Sequence, residues 1–256
     1  MNVCLRFGAG LGVLGGVSMT NFHIPLEKPE EIIPRLGKQQ LHWKKGRSAY
    51  ELSTAWVQAG GVPASVRAVI EQAPEWRGAV FLEGVFERET QLPGRGRPSQ
   101  TDLLAILKLN DENAILGVEG KVDESFGPLV NDWLASAKDQ NRLDRLTGLC
   151  HTLGVDQSKC GELYYQLFHR TCASIYEAKR FGYSRAMMLV HSFAEPADKS
   201  TKPAWFDEFC EFSIAVGMPL LRSGSVSAPK SCDGVTVRLA WVSDVPSEAA
   251  KPLDPA

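Results

Sequence analysis

Apolar positions along the chain change period several times, and each change marks an element. Ser48 opens a helical stretch, SAYELSTAWVQ, closed by Gly60-Gly61, and Pro63 opens a second short helix, PASVRAVIEQ, at the first-turn position that tolerates proline. From Ala79 the period drops to two: GAVFLEGVFERET predicts a strand with Val80, Leu82 and Val85 on its apolar side and an irregularity near Gly84. After the glycine- and arginine-rich loop LPGRGRPSQ, the runs TDLLAILKL and AILGVEGKV read as two strands joined by the turn Asn110-Asp111-Glu112-Asn113, and so as a hairpin.

Beyond the hairpin the pattern is mainly helical. Val130, Trp133, Leu134 and Ala137 share one helix face, and Leu143, Leu146, Leu149, Cys150 and Leu153 share another, ending at Gly154. A longer helix, GELYYQLFHRTCASIYEAKRFG, stops at Gly182. The strand RAMMLVHSF, the helix AWFDEFCEFSIAVG and the strand VTVRLAWV follow. The order α-α-β-β-β-α-α-α-β-α-β predicts an α/β protein with a central mixed sheet flanked by helices. Residues 19–245 are expected to form one domain, 246–256 a flexible tail, and 1–18 a doubtful leader or a mis-assigned start, with Met19 opening a more polar beginning.

Composition narrows the classes. With 256 residues, 44% hydrophobic and 23% charged, the chain is an ordinary globular one, and a net charge of −2 excludes a globally basic nucleic-acid binder. A nucleic-acid partner would need a local patch. The six cysteines include no C-x-x-C pair and no histidines at zinc spacing, so reduced thiols in a cytoplasmic protein are expected, and no apolar run is long enough to span a bilayer.

The chemistry concentrates on the hairpin. Glu119 and Lys121, two apart on a strand, face the same side, while Leu116, Val118 and Val122 face the other. Charges flanked by apolar residues must pair, bind a metal or meet solvent. Asp102 begins the partner strand and can approach Glu119 across roughly 4.8 Å. Two such carboxylates repel unless a cation lies between them, and magnesium or manganese suits their oxygen donors. Lys121 beside them would orient an attacking water or stabilise charge developing on a phosphoryl group.

The set Asp102, Glu119 and Lys121, spaced D-x(16)-E-x-K on three strands between helices, resembles the PD-(D/E)xK nuclease superfamily, the restriction-endonuclease-like fold. The resemblance covers about residues 48–193 and extends to uncharacterised bacterial proteins within that superfamily. Thr101 stands where its motif often has proline. The resemblance implies a Mg-dependent nuclease with Asp102 and Glu119 holding the metal, Lys121 assisting the attacking water, and Glu51 as an added ligand. It also brings a homodimer and nucleic acid as partners to be tested.

Each residue also has a plainer reading. An E-x-K triplet on an exposed strand is an ordinary ion pair, and Asp102 can cap a strand entry. Ser48-x-x-Glu51 is a capping box in which Glu51 serves the helix start. Gln100 is a second-row supporting residue or a surface glutamine, Gln166 is read as solvent-exposed, and His191 as a hydrogen-bonded core histidine. Lys44, Lys45 and Arg47, in the basic stretch from Arg35 to Arg47, and Arg95 and Arg97 in the loop are candidate phosphate contacts or solvated charges. Trp43 among the lysines is read as packing. The Gly10-x-Gly12-x-x-Gly15 match lacks the βαβ unit of a dinucleotide site, and Gly182-Tyr183-Ser184-Arg185-Ala186 follows a helix where a nucleophile elbow follows a strand. Two further readings stay open: a catalytically silent relative that binds nucleic acid or protein, and an unrelated α/β protein.

Overall fold

The computed structural model describes residues 21–23, 26–36, 43–136, 140–194 and 205–246; the expectations for residues 1–18, Lys38 and the tail from 247 lie outside them. The helices are α1 (Ser48–Gln58), α2 (Ala64–Ile70), α3 (Val130–Ala135), α4 (Gln140–Leu153), α5 (Tyr165–Phe181) and α6 (Phe206–Ala215). The strands are β1 (Val80–Thr90), β2 (Ser99–Lys108), β3 (Asn113–Lys121), β4 (Arg185–Ser192), β5 (Ser225–Val226), β6 (Lys230–Cys232) and β7 (Val235–Ser243). They build one seven-stranded mixed sheet in the order β1-β2-β3-β4-β7-β5, with β6 on β7. β1, β2 and β3 form an antiparallel meander, and β4 and β7 run parallel to β3.

The alternation of side chains along these strands divides the interior into two cores. On one side Leu103, Leu107, Leu116, Val118 and Leu189 pack with Trp56 and Val66 of α1 and α2. On the other, Leu104, Ile115, Met188 and Val190 pack with Leu149 of α4, Phe168 and Ile175 of α5 and Phe209 of α6. Each large apolar side chain buried this way stabilises the fold by about 1.5–3 kcal/mol. The parallel strands β3, β4 and β7 are sealed on both faces, so their runs read as nearly continuous apolar sequence.

Two glycines set how closely helices approach β3. A Cβ at Gly117 would stand 2.2 Å from Ser174 Oγ on α5, and one at Gly120 would stand 3.3 Å from Leu52 on α1. The sheet is therefore clamped from opposite faces three residues apart. α5 ends where Gly182 takes a left-handed conformation (φ 72°), with Gly182 and Tyr183 N–H groups donating to Lys179 and Ala178 carbonyls.

β1 departs from its expected register. The pairing slips between Phe81 and Glu83, which turns Phe81 and Phe86 toward the core and leaves Val80 55% and Leu82 37% exposed. The apolar side is thus Phe81 and Phe86, not Val80, Leu82 and Val85. Phe22 bridges to Gly84 and covers the slip.

Candidate active site

The hairpin register carries the candidate residues into one row. Leu103 pairs with Val118, so Asp102 and Glu119 stand opposite one another one step further along. Phe86 pairs with Leu103 and Arg88 with Thr101, which places Glu87 opposite Asp102 on the other flank. Three carboxylates thus lie across three adjacent strands. The row continues into apolar Val190 and Trp241. Glu87 has φ 54°, a left-handed conformation that costs a non-glycine residue about 1–3 kcal/mol and persists where surroundings enforce it.

The β2–β3 ladder ends at Leu103–Val118, and beyond it Gly120 N–H donates to Asp102 Oδ2 at 2.9 Å. α5 lies over the row with Gln166 and Arg170 four apart on one face. Arg170 Nε donates to Glu119 Oε2 at 2.5 Å, and its Nη2 stands 3.5 Å from Asp102 Oδ1, so one guanidinium reaches both carboxylates. Gln166 donates to Glu119 Oε1 at 2.7 Å and accepts from Lys121 Nζ at 3.1 Å. Lys121 Nζ is also 3.1 Å from Glu119 Oε1 and donates to the Ser125 carbonyl at 3.3 Å. Glu119 and Lys121 are 3% and 5% exposed, so the pair is a buried one.

Charge is unevenly compensated along the row. Burial opposes ionisation of Glu119, but Arg170 and Lys121 beside it hold its carboxyl below the usual range. Burial and the Glu119 charge push Asp102 up to about 7, and burial with the Asp102 charge pushes Glu87 up to about 8. Both shifts make the native state hold these protons more tightly than the unfolded chain. Their contribution is fully present below the unfolded pKa values and is lost as pH rises through about 7–8. Buried His169 and His191, held below the ordinary histidine range, act in the opposite sense, but only below about pH 6.5. Unfolding free energy measured by urea denaturation in a metal-free buffer should therefore fall from about pH 6.5 to about pH 8. Asp102→Asn with Glu87→Gln should flatten that fall; an unchanged slope in the double variant would remove these two groups as its source.

Beside the row opens a cavity of about 680 Å³, walled by the loop before β2, the loop after β3, and α3, α4 and α5. Arg95, Arg97, Lys121, Arg142, Arg145 and Arg170 line it, and among the described residues no carboxylate does. It sits by the C-terminal end of β3, where open α/β sheets place their ligand crevices. Gln100 lines this cavity too.

Asp102, Glu119, Lys121, Gln100, Arg95 and Arg97 are therefore brought together. Glu51 lies on α1, where its Oε1 accepts from Gly46 N–H at 2.8 Å and it lines a surface pocket with Thr54 and Asp244. It does serve the backbone ahead of the helix, but Arg47 occupies the cap position and Ser48 N–H donates to Glu124 at 3.1 Å, so the capping box does not form as expected. Arg47 pairs with Asp123 at 2.8 Å; Lys44 and Lys45 are exposed and lie outside the cavity wall. Trp43 packs on Tyr50, and His191 is a buried core histidine whose Nδ1 accepts from Trp56 Nε1 at 3.2 Å. Gln166 corrects the solvent-exposed reading, because α5 turns this face onto the row.

Sequence reasoning missed Glu87, Arg170 and His169. Glu87 is found only by counting back from Asp102 through the β1–β2 pairing. Gln166, His169 and Arg170 follow the i, i+3, i+4 spacing of one helix face, a polar stripe in the first turns of the helix that was itself a signal.

Among the described residues, no group of three or more histidine, cysteine, aspartate and glutamate side chains is arranged to hold a metal. The five cysteines described are free, and no helix is long and apolar enough to cross a membrane. No curated protein and no solved structure matches the chain. Residues 25–246 match a family described as a domain of unknown function (DUF6946), and the chain belongs to that family.

Proposed function

We propose that this chain is a metal-dependent phosphodiesterase acting on nucleic acid, built on a restriction-endonuclease-like core. The observation that carries the reading is the meeting of Asp102, Glu119 and Lys121 beside a cavity into whose wall Lys121 and five arginines are built. The meander β1-β2-β3 followed by a helix and the parallel strand β4 supports the fold reading. The donor chemistry fits a hard divalent cation. The two donors, Asp102 and Glu119, are carboxylate oxygens, and burial together with the neighbouring acids leaves Asp102 and Glu87 pushed up to about 7 and 8. Asp102 and Glu119 would hold the ion, which when bound supplies Lewis-acid polarisation of a phosphoryl oxygen and a more acidic water.

The remaining chemistry belongs to the chain. Lys121, fixed by Glu119, Gln166 and the Ser125 carbonyl, directs its ammonium along the cavity wall, where it orients water or stabilises charge on the phosphoryl group. Gln166 fixes Glu119 and Lys121 together. The arginines of the wall attract and position the phosphate backbone. A cytoplasmic location agrees with the free cysteines.

One observation favours the silent reading: the Arg170 guanidinium already spans Asp102 and Glu119. Titration calorimetry with Mg²⁺ and Mn²⁺ separates the two. The phosphodiesterase predicts a saturable heat in wild type, absent in Glu119→Ala, together with metal-dependent cleavage of single- or double-stranded DNA or RNA. A wild type that binds nucleic acid but neither metal, or a Glu119→Ala chain that still cleaves, ends the reading.

A further inference from the structure

We infer that the cavity beside the carboxylates anchors the terminal phosphate of a single nucleic-acid strand. The assignment rests on the phosphodiesterase reading for the identity of the strand and on the cavity itself for the anion.

Of the six cations in the wall, Lys121 and Arg170 are matched by Glu119 and Asp102. Arg95, Arg97, Arg142 and Arg145 make no ion pair among the described residues, and all four line one space. Arg95 and Arg97 are exposed there, free to swing onto an entering group. Four guanidiniums without a counter-charge repel one another, and an anion between them removes that repulsion.

Arg145 is a fixed cation of this wall. Arg145 is 7% exposed. Its Nε donates to the Pro93 carbonyl at 3.2 Å and its Nη1 to the Arg97 carbonyl at 2.7 Å, which locks the fork in place. Its Nη2 is buried and has no hydrogen-bond partner. Gly96 passes over that nitrogen with φ 136°, and a Cβ there would sit 3.0 Å from Nη2, so this point of the loop tolerates no side chain. With Nε and Nη1 on backbone carbonyls and Nη2 enclosed beneath Gly96, the Arg145 charge is held rigidly beside the cavity with no carboxylate paired to it among the described residues.

His169 adds a neutral imidazole to the wall. Arg170 Nη1 donates to Ser99 Oγ at 3.1 Å, and Ser99 Oγ lies 2.8 Å from His169 Nδ1. In the tautomer that accepts the Ser99 proton at Nδ1, the ring carries its own proton on Nε2 as a donor. Burial and the charges of Arg170, Arg145 and Lys121 keep the ring neutral.

These donors select among phosphates. A phosphomonoester presents three strong acceptor oxygens and about −1.5 to −2 charges, whereas an internal phosphodiester presents fewer acceptors and one charge. Several arginines and an imidazole N–H around one space match the former. The volume of about 680 Å³ lies in the range that holds a small ligand, and a duplex, whose major groove alone is about 12 Å wide, does not enter it. Trp133 is stacked on Tyr165 at 3.7 Å and carries Arg142 over its ring at 5.2 Å, so these rings are engaged within the wall and the grip is ionic rather than by base stacking. Little base preference is therefore expected.

The test is fluorescence anisotropy in EDTA, where no cleavage occurs, with an internally labelled oligothymidylate bearing a 5′-phosphate, a 3′-phosphate or hydroxyls at both ends. One phosphorylated end should bind at least about tenfold tighter than the hydroxyl strand. Arg97→Ala and Arg95→Ala, at exposed positions that leave the fold intact, should each reduce that preference, and Arg145→Met should remove it. Equal binding of all three strands in wild type overturns the inference, as does a preference that survives in an Arg95→Ala, Arg97→Ala double variant. If inorganic phosphate or thymidine monophosphate competes as well as the phosphorylated strand, the cavity is a free-phosphate or nucleotide site and the strand assignment fails. A phosphate preference without cleavage under any metal refutes the phosphodiesterase and leaves the anion site standing; cleavage indifferent to strand ends does the reverse.

Discussion

Asp102→Asn is expected to lower metal-dependent phosphodiester cleavage by about 10²–10³-fold while leaving the folded state as stable as wild type or more stable at pH 8. The two effects have opposite signs for one reason. Asp102 is ionised at that pH against burial and the Glu119 charge, which push it up to about 7. The neutral amide removes that repulsion, and its oxygen can still accept from Gly120 N–H, the 2.9 Å contact that holds the parted strands in register. What it loses is the anionic oxygen that a divalent ion or a phosphoryl-transfer site requires. Rate assays at saturating metal, paired with thermal melts, read both quantities. Undiminished cleavage would take Asp102 out of the reaction. Loss of stability in parallel with activity would make it a structural acid. A gain in stability with loss of activity is the mark of a group kept for its chemistry.

Much of this arrangement was legible in the chain because it depends on local rules. Glycines end α1 and α5, a polar turn joins β2 to β3, and the apolar runs give strands of the right length. Once the hairpin is granted, strand alternation alone sets Asp102 against Glu119 and puts Lys121 on the same face. A mixed sheet flanked by helices follows from the order of elements.

The parts that were not legible depend on contacts between distant segments. The inward face of β1 is decided by a slip at Phe81/Glu83 that Phe22 covers from far upstream, so a simple alternation put the wrong side chains inside. Glu87 inherits its place in the acidic row from that same pairing. β5 and β6, of two and three residues, are too short to carry a period and exist because β7 offers an edge. Gln166 and Arg170 gain meaning only from the docking of α5 on β3, which the missing side chain at Gly117 permits. The basic stretch before α1 illustrates the converse: Arg47 finds Asp123, while the arginines of the later loop and of α4 converge on the cavity.

Arg170→Met should be the most damaging single change in the site, lowering stability by about 3–5 kcal/mol at neutral pH. Arg170 is held nearly buried against Glu119, Asp102 and Ser99, and its own ionised state is favoured by those carboxylates. Without it, Glu119 is left buried with Lys121 alone to balance it, and Asp102 loses the guanidinium that opposes its burial. Urea denaturation gives the magnitude, and the double variant Arg170→Met, Glu119→Leu gives the coupling: removal of both charges should recover much of the loss, because replacing a buried pair by apolar groups is far cheaper than orphaning one member. A loss below about 1 kcal/mol would mean that Lys121 alone compensates Glu119. The same variant also tests how the guanidinium and a divalent ion share the site. If Asp102 and Glu119 hold Mg²⁺ where Arg170 now reaches them, added Mg²⁺ should raise the stability of Arg170→Met more than that of wild type, in proportion to the logarithm of its concentration. If Mg²⁺ stabilises neither chain, the guanidinium is the site's permanent cation, and the carboxylate row serves to fix Arg170 at the cavity wall.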